Sequence, residues 1–336
     1  MSMIELDEIS VQSEFFSQIR ANLPSHIALV DAIADILNIS NDSAYRRIRG
    51  EKLISFGEIG ILSRHFKVSV DKLLNLKADS FIFNGKLANA QDHILDKWLE
   101  NVLSQFEFMA NYSDCKLYYL AKDLPLAHFF QTPELAAFKF FFWQKSILQY
   151  EEMRGSRFEI GRIDSVCRQL SEKIVEVYNR ISTVEIWNAE SINSTIRQIE
   201  FYRDSEMFYS KTELTLLWDA LEKLINHLER QAEYGVKFAF GGDFESGTAS
   251  YQMFNNELIL GNNTALADFT SFRLTFLNHS VINYISTQDV RFNEYMFSGI
   301  ENMMRKSEQL NNVNEKGRVN FFNRVRSKIN RARNAS

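Results

Sequence analysis

The segment IADILNISNDSAYRRIRGEKLISFGEIGILSRHFKVSVDKLL (residues 33–74) is a run of short helices separated by their own stop and start signals. Leu29, Ile33 and Leu37 form a stripe that ends near Asn38, and Ser40 is suited to cap a helix over about 41–49. In that helix Ala44 and Ile48 point inward, and Gly50 supplies the stop. Ser55-Phe56-Gly57-Glu58 is a capping box opening a helix with Ile59, Leu62 and Phe66 inside. Ser69 then caps a last short helix carrying Val70, Leu73 and Leu74. Upstream, Phe15, Ile19 and Leu23 recur every four residues until Pro24 closes their helix. Five short helices are therefore expected within residues 1–76.

The spacing of these signals resembles the phage-repressor/Cro-like (XRE-type) helix-turn-helix family. Ile33-Ala34 opens the match, Asn38-Ile39-Ser40 forms the turn, Gly50 ends the second helix of the motif, and Val68-Ser69-Val70-Asp71-Lys72-Leu73-Leu74 supplies the close. The sequence departs from the family pattern at two places. Asn38 stands where Gly is common, which Asn tolerates in a left-handed backbone. Ile48 is the second inward residue, one position later than usual, with Arg47 at the customary place. The resemblance implies base-edge contacts from Asn41, Asp42 and Arg46, since Arg holds guanine bidentately and Asn suits adenine. Physically, a short helix with a small inner face and Asn41, Asp42, Ser43, Tyr45, Arg46, Arg47 and Arg49 elsewhere fits a major groove about 12 Å wide. Arg49, Lys52, Arg64 and Lys67 are assigned to phosphates, which position a protein without reading sequence.

The rest of the chain reads differently. With 3 Pro and 13 Gly in 336 residues, breakers are scarce and long helices are expected. Residues 77–86 read as a linker. Leu95, Trp98, Val102, Phe106 and Met109 keep helical spacing, as do Ile163, Val166, Leu170, Ile174, Val177 and Ile181, and again Leu214, Leu217, Leu221, Leu224 and Leu228. KLYYLAKDLP (116–125) is irregular or briefly extended. Residues 87–234 are therefore expected to be all-α, with helical repeats as an alternative. From Gly235 the period drops to two through Val236, Phe238 and Phe240, and further short runs flank Asn255-Asn256, a plausible hairpin turn. Residues 235–336 are expected to form a small α+β unit, an antiparallel meander backed by helices. The expected fold class is thus mainly α.

Charge is segregated. Residues 41–77 hold 8 basic and 4 acidic side chains, 81–315 hold 22 and 32, and 316–336 hold 7 and none. An anionic partner would meet residues 41–77 or the tail, not the acidic middle. In the tail, Phe321, Phe322, Val325 and Ile329 form one stripe, so a docked terminal helix is favoured over a second phosphate contact. Residues beyond Ile329 are expected to fray.

No catalytic constellation emerges. His26, His65, His93, His128, His227 and His279 lack metal-site spacing, Cys115 and Cys167 form no CxxC pair, and GGDFESG (241–247) lacks the Lys of a phosphate loop. Asp123-Leu124-Pro125, Phe129 and Phe130 could line a pocket, though aromatic runs this dense are usually core. No cofactor, metal or membrane span is expected, and a cytoplasmic setting fits the two cysteines. The expected function is a DNA-binding transcriptional regulator that is not an enzyme. It would pair as a homodimer on double-stranded DNA, and its later regions would dimerise, sense a small-molecule or peptide effector, or both. A scaffold whose first domain binds protein is the alternative from another class, and a deep pocket holding polar groups with shifted pKa values would favour an enzyme.

Overall fold

A computed structural model describes residues 8–24, 27–73, 81–85, 95–247, 249–258 and 261–335. Leu74, His26, His93 and half of the expected linker 77–86 lie outside them. Two compact units divide at Ser80/Phe81.

The first unit holds α1 (Glu8–Ala21), α2 (Leu29–Leu37), α3 (Asn41–Ile48), α4 (Phe56–Phe66) and α5 (Val70–Leu73). Its core is Phe15, Phe16 and Ile19 from α1, Ile33 and Ala34 from α2, Ala44, Leu62 and Val68. Local chemistry sets each boundary. Asn38 closes α2 in the left-handed region (φ 51°), its amide reaching the carbonyls of Ala34 and Asp35. The Ser40 hydroxyl accepts from the Ser43 amide to open α3, and Ser55 and Glu58 complete a reciprocal capping box at α4.

The second unit is built on a nine-stranded mixed sheet. After β1 (Asn84–Gly85) come α6 (Leu95–Ala110), β2 (Lys116–Leu120), α7 (Leu126–Phe129), α8 (Pro133–Phe142), α9 (Ser165–Tyr178) and β3 (Ser182–Trp187). Next are α10 (Asn193–Asp204), α11 (Lys211–Tyr234), β4 (Val236–Lys237), β5 (Ala249–Asn255), β6 (Thr264–Asp268), β7 (Arg273–Asn278) and β8 (Tyr284–Thr287). α12 (Val290–Arg305), β9 (Glu308–Gln309) and α13 (Glu315–Asn334) complete the chain. The strand order is β1-β8-β7-β6-β2-β3-β5-β4, with β9 also on β5. β2, β3 and β5 run parallel, with Tyr119 opposite Glu185 and Glu185 opposite Met253; the remaining pairs are antiparallel.

Alternation along the strands gives the sheet two faces. Leu117, Trp187, Tyr251, Met253, Ala267 and Phe276 join the large core shared with α6, α8, α9, α11 and α13. Tyr118, Leu120, Val184, Ile186, Phe254 and Leu266 pack on the other side against Ile300, Phe297 and the methionines of α12.

This architecture corrects the expected fold class: it is α/β with a large sheet, not mainly α with a small β unit. The region expected to be all-α contributes β2 and β3, the middle of the sheet, so it forms no helical-repeat domain. Asn255-Asn256 makes no hairpin: β5 ends there, and the next strand, β6, lies three places away beyond β3 and β2. Parallel strands covered on both faces carry nearly continuous apolar sequence, without the alternation that marks a half-exposed strand.

The C-terminal helix is docked. Phe321, Phe322, Val325 and Ile329 are buried to 1% exposure or less. Its basic face is answered by acids of the same unit: Arg324 by Glu257, Arg326 by Glu229, Lys328 by Glu190, and Arg333 by Asp219 and Glu222. The expected fraying beyond Ile329 is also corrected. The helix continues to Asn334, with Ala332 buried and its carbonyl accepting from Arg203.

Candidate functional site

The ten expected contact residues fall into an outward row and a locked inner face. Asn41, Asp42, Tyr45 and Arg46 are exposed on α3 and Arg49 at its C-cap, where steps of three and four residues bring them onto adjoining rows; Ser43 is half-buried. The Asn41 amide donates to Asp31 Oδ1 at 2.9 Å, which fixes its orientation from α2. The Arg49 guanidinium lies 4.6 Å from the Tyr45 ring centre, joining the two into one flat cationic surface. Arg46 and Arg49 reach Glu51 only at 3.8 and 3.7 Å, with all three side chains at least half exposed, so these pairs hold them weakly. Lys52 is exposed just beyond α3, Arg64 is exposed on α4, and Lys67 is exposed at the α4 C-cap in the left-handed region (φ 55°).

Arg47 is a correction. It is 5% exposed and faces inward, so it stands outside the outward row. Its Nη2 and Nε donate to Glu58 Oε1 at 2.7 and 3.2 Å, and its Nη1 donates to the Ser43 carbonyl at 3.0 Å. The departure noted at this position is therefore filled by an ion pair that ties α3 to α4, while Ile48 also packs on the core. Burial raises the Glu58 carboxyl, but hydrogen bonds from Arg47 and the Ser55 amide, with the Arg47 charge, bring it below its ordinary value.

Sequence reasoning missed Gln12. From α1 its Nε2 donates to the carbonyls of Arg47 and Lys52 at 2.7 and 2.9 Å, and its Oε1 accepts from the Ile54 amide at 2.9 Å. One buried amide thus ties down both ends of the loop that follows α3. Its signal was legible: Gln12 is the polar member of an inward stripe with Phe15, Phe16 and Ile19.

The second unit contains a cavity of about 150 Å³ between α6 and the face formed by β2, β6 and β7. Trp98, Val102, Phe106, Trp143 and Phe276 supply its apolar walls, and Asp123, Leu124, Pro125 and Phe129 line it as the sequence suggested, whereas Phe130 is buried in the core. Lys139, which sequence reasoning did not single out, reaches this cavity with its Nζ 3.8 Å from the Phe129 ring centre. Burial lowers its ammonium to about 8, against the Asp123 charge that raises it, and burial pushes the Asp123 carboxyl up.

Beside the cavity, Glu185 is fully buried on β3. Its carboxylate accepts from His128 Nε2 at 2.8 Å, Tyr178 at 2.6 Å, Trp187 at 2.8 Å and Tyr251 at 2.9 Å. Burial alone would raise this carboxyl; the His128 and Tyr178 interactions and the Lys237 charge bring it down to about 2. Lys237 is held in turn by the carbonyls of Tyr178 and Ile181 and the Thr183 hydroxyl.

His227 is buried too, and desolvation takes its imidazole down to about 4. Among the described residues there is no His, Cys, Asp or Glu group suited to hold a metal, and no helix long and apolar enough to cross a membrane. Comparison with protein-family models, curated proteins and solved structures finds no match for this chain.

Proposed function

We propose that residues 8–73 are a helix-turn-helix module similar to the Cro-like (XRE-type) family and bind double-stranded DNA in the major groove through α3. The chain would then be a sequence-specific transcriptional regulator acting as a homodimer, with residues 81–336 serving dimerisation and effector sensing. One observation carries this reading. The outward row Asn41, Asp42, Tyr45, Arg46 and Arg49 rides on a helix whose inner side is locked by Ala44, the Arg47–Glu58 pair and the Gln12 clamp. Such a short helix, held rigidly and rich in groups that hydrogen-bond to base edges, meets the requirements of a groove reader.

Selection of bound sequences from a random DNA pool tests the reading, and a pool that yields no enriched sequence refutes it. Arg46→Ala is expected to cost about 1–3 kcal/mol at the selected site and to relax preference at one base pair. Arg64→Ala is expected to weaken all sequences alike and to lower the log-log salt slope by about one.

A further inference from the structure

The cavity of the second unit has an apolar body and a charged end, and the two charges at that end are not paired with each other. Thr195 stands between them, accepting from Lys139 Nζ at 3.3 Å and donating to Asp123 Oδ1 at 3.4 Å. Oδ1 also takes the Leu124 amide at 2.9 Å, while Oδ2 of the same carboxylate has no hydrogen-bond partner among the described residues. On the other side, Lys139 spends its second donor on Gln198 Oε1 at 2.7 Å, a neutral acceptor. The Gln198 amide nitrogen and the Tyr119 hydroxyl, both from residues that line the cavity, have no partner among the described residues either. The wall thus offers one anionic acceptor beside three donors, one of them cationic. A desolvated charge is costly unless closely paired, and this acid and base meet each other only through the Thr195 hydroxyl.

We propose that this cavity binds a small zwitterion with an apolar side chain, an α-amino acid of the size of leucine or phenylalanine. Its ammonium meets Asp123 Oδ2, its carboxylate meets Lys139 and Gln198, and its side chain lies among Trp98, Phe106, Trp143 and Phe276. A lone amine leaves Lys139 without an anion, and a lone carboxylate brings a second negative charge to Asp123. A cavity of about 150 Å³ holds a group of benzene size, which matches the side chain. The depressed ammonium of Lys139 and the raised carboxyl of Asp123 fit two desolvated charges held apart, each only partly offset by the other.

The inference rests on the reading of residues 81–336 as the sensing part, but its test needs no DNA. Isothermal calorimetry on the full chain compares L-phenylalanine and L-leucine with phenethylamine, 3-phenylpropionate and toluene. At least one of the two amino acids is expected to bind, and each single-charge or uncharged analogue is expected to bind at least tenfold more weakly. Lys139→Met is expected to erase the preference for phenylalanine over phenethylamine. Val102→Phe, which fills the cavity from α6, is expected to abolish binding while the unfolding transition persists, so lost binding is not mistaken for lost folding. Absence of binding by both amino acids, equal affinity for toluene, or unchanged binding in Val102→Phe overturns the proposal. Amino-acid binding by a chain that selects no DNA sequence would refute the regulator reading alone.

Discussion

Removing Glu58 should cost more than removing its partner Arg47, although the two form one ion pair. The Arg47 side chain is 6% exposed and that of Glu58 is 20% exposed. In Glu58→Ala the guanidinium stays buried with only the Ser43 carbonyl, and α4 loses half of its capping box. Stripping one partner from a fully buried pair costs about 3–5 kcal/mol. Discounted for the exposure of Glu58, and with the lost cap added, roughly 2–3 kcal/mol is expected. In Arg47→Met the carboxylate keeps the Ser55 amide and turns to water, and the methionine fills the space of the arginine stem, so about 1 kcal/mol is expected.

All four tryptophans, at 98, 143, 187 and 218, belong to the second unit, so tryptophan fluorescence does not report on these changes. Hydrogen exchange of peptides spanning 41–66 does, and Glu58→Ala should speed it by about 30- to 140-fold. The double variant should fall short of additivity by more than about 0.5 kcal/mol. In DNA binding, Arg47→Met should leave the salt slope unchanged, because the side chain reaches no phosphate. If Arg47→Met costs more than Glu58→Ala, or if its slope drops by about one, the inward placement of Arg47 is refuted.

Three further outcomes are expected. The Glu185 carboxyl lies near 2, below its ordinary 4.5, so its stabilising contribution is full above about 4.5 and is lost as pH falls towards 2. Glu185→Gln should destabilise the second unit by about 3–5 kcal/mol at neutral pH and flatten its acid unfolding profile across that window; an unchanged profile refutes the assignment. Truncation after Asn314 removes Phe321, Phe322, Val325 and Ile329, worth roughly 6–12 kcal/mol together, as much as a domain's whole stability, and should yield no soluble folded second unit. A truncated chain with the parent tryptophan unfolding transition would contradict the docking. Light scattering at micromolar concentration should give the mass of a homodimer, and a strict monomer with and without operator DNA counts against pairing.

Legibility followed the range of the interactions. Ser40, Gly50 and the Ser55–Glu58 box act within one helical turn, so their roles were readable from spacing. The antiparallel pair β6-β7 was readable too, because the two strands are neighbours in sequence, whereas β8 was not foreseen. β2 and β3 were not. Their partners lie far along the chain, and both faces of STVEIW (182–187) are covered, so no alternation marks it as a strand. Glu185 also makes that segment look like part of a polar helix, because the four groups that satisfy its charge include side chains from α7, α9 and β5. Within the candidate interface, the outward row was legible from helical period, whereas the inward turn of Arg47 depends on a carboxylate eleven residues away. Lys139 escaped notice because its cavity is assembled by a fold that was misread.

The position of β2 between β3 and β6 has a consequence for how the chain folds as it is made. The strand is synthesised by residue 120, yet its antiparallel neighbour starts at residue 264. At about 5–20 residues per second, the ribosome takes on the order of 7–30 s to deliver that partner. Every contact of the five-helix unit is available before residue 80, so it can reach its native state while the sheet is unfinished. During the interval the backbone edge of β2 that β6 will pair with stays open, its N–H and C=O groups without their ladder partners. Nascent chains stalled between residues 190 and 260 should therefore be the ones that engage chaperones and aggregate, with the five-helix unit already folded at their N-terminal end.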